Sequence, residues 1–311
     1  MATDCRARAL SALLREIELA SYAFVPPTPE THRRVNARPG NELARDLRGI
    51  FGWSRPFSKD AVDPRILALM AEADALGAVG ENWKSRLRVA TLQGRPYFHS
   101  AFPTIQADAV FFGPDTYRFV RAALAALPDR RFRRAIDLGC GAGAGGLAIA
   151  AARQIDDLFL TDINPAALTL ARINAAHQGR AAAFIEGDLF AGLTGGFDLI
   201  VANPPYLADP ARRVYRDGGG ELGLSLGLRI VEEGVSRLKP GGVLFLYTGT
   251  PIIGGVDQFR DAMEQTLPKD GFQFEYGEID PDVFGEELEA EPYGNADRIA
   301  VIGLRVTRTR K

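Results

Sequence analysis

The sequence predicts an α/β protein: a doubly wound, seven-stranded, mostly parallel sheet preceded by a smaller N-terminal α+β region. Three observations carry this prediction. Beyond residue 130, short strand-like runs alternate with helical stretches, the pattern of a parallel sheet with right-handed crossovers. Before residue 110 that alternation is absent. The last two apolar runs follow each other without a helix between them, so the last strand is expected to run antiparallel.

Taken in order, Leu10, Leu13, Leu14 and Ile17 recur at helical spacing. The Pro- and Arg-containing stretch 25–40 reads as loop. Asp63-Pro64 supplies an N-cap and a proline at the first helical position, followed by Ile66, Leu67, Leu69, Met70, Ala73 and Leu76, with Gly77 as the stop. RLRVATL (86–92) and RPYFHSA (95–101) flank a Gln93-Gly94 turn and read as a hairpin. Helices followed by a hairpin give residues 1–110 the order of a winged-helix-like module, expected to be the substrate-recognition domain. Residues 111–311 make the second domain. Its strands are expected at 134–139, 157–162, 182–188, 197–203, 242–249, 272–279 and 298–306, the first five separated by helices, most clearly 143–153, 165–177 and 221–238.

Composition narrows the function classes. Hydrophobic residues make up 46% of the 311 and charged ones 24%, the balance of a globular chain rather than a disordered one. No apolar run reaches the about 18 residues of a membrane span, and the first residues lack a signal-peptide apolar core, so a cytoplasmic protein without a membrane partner is expected. Cys5 and Cys140 are the only cysteines, too few for a disulfide framework or a cysteine-rich zinc site. His32, His99 and His177 are the only histidines, and no two stand at metal-ligand spacing; no metal is expected. Residues 1–134 hold 21 Lys+Arg against 14 Asp+Glu, a net +7, and residues 135–311 hold 16 against 25, a net −9. The basic excess concentrates at Arg130, Arg131, Arg133 and Arg134. It fits either a binding patch for an anionic partner or a solvated face on a connecting turn.

Open α/β sheets bind ligands outside the carboxyl ends of their strands, and the informative residues fall there. After the first strand comes Asp137-Leu138-Gly139-Cys140-Gly141-Ala142-Gly143-Ala144-Gly145-Gly146, a turn whose glycines let the backbone approach a ligand at a helix N-terminus. Residues 141–146 fit G-x-G-x-x-G. The second strand ends in Thr161-Asp162-Ile163-Asn164, placing an acid where ribose hydroxyls are bound. These residues favour a nucleoside-containing cofactor without separating NAD from S-adenosylmethionine. Asp188, in Glu186-Gly187-Asp188-Leu189-Phe190, is placed for an adenine amino group, or is a turn aspartate.

The fourth strand ends in Ala202-Asn203-Pro204-Pro205-Tyr206. Two prolines fix the backbone there and present the Asn203 side-chain oxygen and the Pro204 carbonyl as two acceptors beside an aromatic ring. An amide or aromatic amino nitrogen is a poor nucleophile because its lone pair is delocalised. Hydrogen bonds from both its N–H groups to that pair of acceptors favour a pyramidal nitrogen, with Tyr206 stacked on the flat substrate. Catalysis then comes from positioning and fixed dipoles.

On these segments, with Phe112-Gly113-Pro114-Asp115-Thr116-Tyr117 and Asp217-Gly218-Gly219-Gly220-Glu221-Leu222-Gly223, residues 111–311 resemble a class I S-adenosylmethionine-dependent methyltransferase with a Rossmann-like sheet. They are most similar to the HemK-type protein-glutamine methyltransferases and the related small-domain RNA and DNA amino-methyltransferases. The resemblance implies S-adenosyl-L-methionine contacts at Asp137, Gly139, Gly141, Asp162 and Asp188, with Thr116 near the methionine end. Their neighbours Gly143, Ile163 and Leu189, and Asn203 itself, complete the candidate cofactor set. Asn203, Pro204 and Tyr206 are the candidate catalytic residues. The implied partner is a macromolecule, acting through an RNA or DNA base amine or a protein glutamine. HemK proteins carry Arg-Pro-Glu-Thr-Glu where this chain has residues 113–117, and the first 110 residues do not resemble their helical domain. The acidic segment Asp280 through Asp297 is additional, and reads as a solvated loop more than as a lid.

Three alternatives use parts of the same pattern. An NAD-dependent oxidoreductase shares the glycines and Asp162 but leaves Asn203–Tyr206 unexplained. Gly223-Leu224-Ser225-Leu226-Gly227 fits the hydrolase G-x-S-x-G, yet all three histidines precede Ser225, against the order Ser, acid, His that such a fold requires. A non-catalytic nucleic-acid-binding protein does not account for suitable residues at all four strand ends.

Overall fold

The computed structural model describes residues 2–104, 106–268 and 270–310. The chain divides into two compact units, one of residues 1–117, 141–144 and 166–181, the other of 118–140, 145–165 and 182–311.

In the first unit α1 (Ala2–Leu19) buries Leu10, Leu13, Leu14 and Ile17, the predicted stripe. The stretch expected to be loop contains α2 (Pro29–Asn36), capped by the Thr28 side chain accepting from Thr31 N–H. Asp63 caps α3 (Pro64–Glu72) through Arg65 N–H at 2.8 Å. This helix ends earlier than the sequence suggests: Asp74 takes a left-handed φ of 52°. Gly77 lies in a hairpin, β1 (Leu76–Val79) with β2 (Asn82–Ser85), which is short, half polar and invisible to an alternation test. The predicted hairpin is β3 (Leu87–Leu92) with β4 (Arg95–Ser100), closed by Gln93 and Gly94, both at positive φ. These elements share one apolar core, which also takes in Ala142, Ala167, Leu170 and Ile173.

The main sheet follows α4 (Pro114–Ala126), a helix that the sequence pattern does not anticipate. In chain order come β5 (Phe132–Leu138), α5 (Ala144–Ala152), β6 (Ile155–Asp162), α6 (Pro165–His177), β7 (Ala183–Glu186), β8 (Phe197–Ala202), α7 (Ser225–Arg237), β9 (Leu238–Ile253), β10 (Val256–Asp257), α8 (Gln258–Thr266), β11 (Phe272–Asp280) and β12 (Arg298–Arg308). The strand order is β11-β12-β9-β8-β5-β6-β7, with the two-residue β10 folding back on β9. From β7 to β9 neighbouring strands are parallel; β12 is antiparallel to both its neighbours, as the absence of a helix before it implies.

Two details differ from the expected pattern. No helix joins β7 to β8 among the described residues, only turns, and β9 extends well beyond 242–249 at both ends. Much of the arginine cluster is engaged within the fold, while Arg133 is exposed. Arg130 donates to Gly241 O, Arg131 pairs with Asp156, and Arg134 donates to Thr194 O and Gly196 O while lying over the rings of Phe159 and Phe197. Three of its four guanidinium groups are thus engaged.

Candidate active site

β5 lies where the strand order reverses, the place where open sheets bind ligands. Asp137, next to its last residue, is 2% exposed, and its Oδ2 accepts a 2.7 Å bond from Gly146 N–H in the first turn of α5. A Cβ on Gly146 would lie 2.6 Å from Leu160 and 3.0 Å from that oxygen; one on Gly145 would lie 2.5 Å from Phe119. Glycine is therefore what lets the helix start press against the strand and its carboxylate. Burial pushes the Asp137 carboxyl up to about 7; the Gly146 bond opposes this, and the charge of Asp162 adds to it.

The turn after β5 holds Gly139, Gly141 and Gly143 at φ of 66°, 53° and 77°, a conformation that side chains with a Cβ adopt at a cost. Cys140 N–H fixes the start of the turn to Thr161 O at 2.9 Å. Gly141 and Gly143 belong to the first unit. There Asn174 of α6, fully buried, accepts from Phe98 N–H at 2.9 Å and donates to Phe98 O at 3.1 Å and Ala142 O at 2.9 Å. Thr116, also in that unit, is buried in the first turn of α4, its N–H on Gly113 O.

At the end of β6, Asp162 is nearly buried and its Oδ1 accepts from Asn164 N–H at 2.9 Å, a local turn that leads into Pro165 and α6. Ile163 beside it is 54% exposed. Past β7, the Asp188 carboxylate faces Arg229 of α7 at 2.9 Å, and an adenine amino group would have to share it with that guanidinium. Leu189 is buried despite a left-handed φ of 50°.

Past β8, the Asn203 side chain is half-buried and its carboxamide has no hydrogen-bond partner among the described residues. Pro204 and Tyr206 are buried. The Tyr206 ring lies so close to Gly249 of β9 that a Cβ there would overlap it, and it meets the Phe284 ring at 64° with ring centres 6.0 Å apart. Gly218 and Gly223 allow the 217–223 loop to pack on the backbone of Pro205–Ala208, with Gly218 N–H on Leu207 O at 2.8 Å.

The segment 280–297 is more than a solvated loop. Tyr293, 2% exposed, accepts from Ala208 N–H at 2.8 Å and donates to Leu222 O at 3.1 Å, bridging the two loops. Glu287 pairs with Arg216. Arg213 forms two 2.7 Å bonds to Asp209, which hold that carboxyl down at about 2. Of Arg212, Arg213 and Arg216, whose position past the strand end suits phosphate ligands, the last two are thus matched by acids, while Arg212 is exposed. Among the described residues no group of three or more His, Cys, Asp or Glu could hold a metal ion, and no helix is long and apolar enough to cross a membrane.

The strand ends therefore present a glycine turn, a buried acid, a nearly buried acid, and a rigid loop with an unengaged carboxamide beside a clamped ring. Asn174 and Gly249 are not singled out by the sequence, and Phe284 and Tyr293 stand out there only as members of the 280–297 segment, because each acts across a long span of chain.

Residues 120–253 match the family of the methyltransferase small domain. The chain is 38% identical over 186 residues to a release factor glutamine methyltransferase of Deinococcus radiodurans, an alignment covering 57% of this chain and 66% of that protein. It is 32% identical over 264 residues to one of Moorella thermoacetica, covering 77% of this chain and 92% of that protein. The second alignment spans more than residues 111–311 can supply, so the similarity reaches into the N-terminal region. A crystal structure of Trm5b from Pyrococcus abyssi shares the fold, with a TM-score of 0.50 at 16% identity over 75% of this chain and 62% of that one.

Proposed function

Because the chain belongs to the S-adenosylmethionine-dependent methyltransferases of the HemK-type and small-domain group, we propose that it methylates the side-chain amide nitrogen of a glutamine in a protein, with a translation release factor as the first acceptor to test. The observation that carries this reading is the unengaged Asn203 carboxamide at the end of β8, fixed beside the Tyr206 ring. The names of the two relatives support the acceptor. So does the pairing of Arg213 with Asp209 and of Arg216 with Glu287, which engages two of the loop's three arginines and leaves exposed Arg212 as the remaining cation for a phosphate backbone. The reaction is placed in the cytoplasm.

The residues fit the cofactor. Three glycines at positive φ, with open space beside Gly139 and Gly141, permit close approach of a nucleoside-bearing ligand, and Asp162 stands where ribose hydroxyls donate. The residues assigned to hold it are Thr116, Asp137, Gly139, Gly141, Gly143, Asp162, Ile163, Asp188, Leu189 and Asn203. When bound, S-adenosyl-L-methionine supplies an electrophilic methyl group on a sulfonium leaving group. Asn203 accepts from the acceptor amide, Pro204 offers its carbonyl to the second N–H, and Tyr206 holds the amide plane. Those two hydrogen bonds would draw the lone pair out of delocalisation and leave the nitrogen nucleophilic, and because both acceptors are neutral and not basic, the one amide proton lost on methylation would pass to solvent. Residues 1–110 are assigned the recognition of the acceptor.

The test is incubation with methyl-labelled S-adenosylmethionine and extract of cells lacking the gene, followed by digestion. Label that survives nucleases and is released by protease supports a protein amide, and purified release factor should take it up. Label released by RNase or DNase would overturn the glutamine reading in favour of a base amine.

A further inference from the structure

Asn174 is a fully buried carboxamide on α6, and its hydrogen bonds all go to main chain far from it in sequence. It meets both the N–H and the C=O of Phe98, as an added strand would, and so closes that part of β4. Its remaining hydrogen bond, at 2.9 Å, holds the carbonyl of Ala142, between Gly141 and Gly143.

That last bond has a geometric consequence. The Ala142 C=O and the Gly143 N–H lie in one planar trans peptide and point in opposite directions. Gly143 is at φ 77°, and glycine on the C-terminal side of a peptide leaves that plane unusually free to rotate. Asn174 removes the freedom: with the carbonyl drawn to α6, the Gly143 N–H faces away from it. This N–H has no partner among the described residues.

We infer that Asn174 is a positioning residue for the cofactor, holding the Ala142–Gly143 peptide so that the Gly143 N–H is aimed as a free donor at an acceptor oxygen of the bound ligand. The same side chain ties that peptide to the β3–β4 hairpin. The inference rests on the cofactor reading given above.

The test is titration calorimetry of S-adenosyl-L-methionine with the full chain, wild type and Asn174→Leu, alongside melting curves and hydrogen exchange at Gly143. Asn174→Leu keeps the volume and removes every bond. Losing one well-aimed donor predicts a rise in Kd of about tenfold, measured well below the lowered Tm, and a changed exchange rate at Gly143. A Kd within about twofold of wild type in the folded variant overturns the inference and leaves Asn174 a purely structural residue. Should Asn174→Leu not fold, Asn174→Asp carries the same test at high pH: ionised, it still accepts from Phe98 N–H but donates to neither Phe98 O nor Ala142 O. Wild-type protein that does not bind S-adenosyl-L-methionine would instead overturn the cofactor reading itself.

Discussion

Replacing Asp137 by asparagine tests the electrostatics of the site directly. The carboxyl is fully buried and pushed from an ordinary 3.8 up to about 7, chiefly by burial. About three units, at about 1.4 kcal/mol each, amount to about 4 kcal/mol, and relaxation around the charge makes about 2 the lower bound. Because the folded state holds its proton more tightly than the unfolded one, this contribution to stability is fully present below pH about 4. It is lost progressively as the pH rises to about 7, and is constant above that. The introduced carboxamide keeps the oxygen that receives Gly146 N–H and cannot ionise. Its new amino group adds a cost, but one independent of pH. The unfolding free energy of Asp137→Asn minus that of wild type should therefore grow by about 2–4 kcal/mol between pH about 4 and about 7.5, read from urea unfolding at several pH values. Other titrating groups cancel in the difference. A difference that stays flat over this range would refute the reasoning. In the Asp162→Asn background the growth should be smaller, because the charge of Asp162 contributes to the shift.

Other consequences are as direct. Asn203→Ala should lower kcat by about 10²-fold or more, with a smaller rise in the Kd for S-adenosylmethionine because Asn203 is also assigned to the cofactor; full methylation by this variant would remove Asn203 from catalysis. Tyr293→Phe strands Ala208 N–H and Leu222 C=O, costing about 1–3 kcal/mol; it should raise the KM for the acceptor without weakening cofactor binding, and equal loss of both would make Tyr293 merely structural. Gly249→Ala should displace the Tyr206 ring and destabilise the fold by about 1–3 kcal/mol, so an unmoved ring in a crystal structure of the variant would contradict this packing. His32, buried and held down to about 4, mainly by burial, makes the protein lose stability as the pH falls from 6.5 toward 4. His32→Phe should flatten the dependence of Tm on pH over that window, and an unchanged profile would count against it.

The sheet is legible in the sequence where local signals agree. The bounds of α6 are readable because Asp162-Ile163-Asn164-Pro165 stops a strand, forms a turn and starts a helix within four residues. β9 reads short because Pro240-Gly241-Gly242 and Pro251 look like breaks, although an extended backbone accommodates proline where no ladder bond is needed. β1 and β2 escape detection because a hairpin of four-residue strands with a polar face has no periodicity to find. The strand ends are legible because each marks itself with a glycine, an acid or a proline. Their supports are not. Asn174 is 76 residues from Phe98 and Tyr293 is 85 from Ala208, and nothing local to an asparagine in a helix or a tyrosine in a loop announces such a bond. Asp188 shows the converse: its position suits an adenine ligand, but Arg229, 41 residues on, claims its carboxylate.

The two units are not consecutive along the chain: residues 141–144 and 166–181 return to the unit that begins at the N-terminus, and Ala142, Ala167, Leu170 and Ile173 help fill its core. The front of this protein is therefore not a cassette. A gene fusion that exchanged residues 1–117 at a single junction would import a core with one wall missing and leave α6 with bare apolar residues. Any exchange of residues 1–117 therefore has to carry matching substitutions in the helix that follows β6.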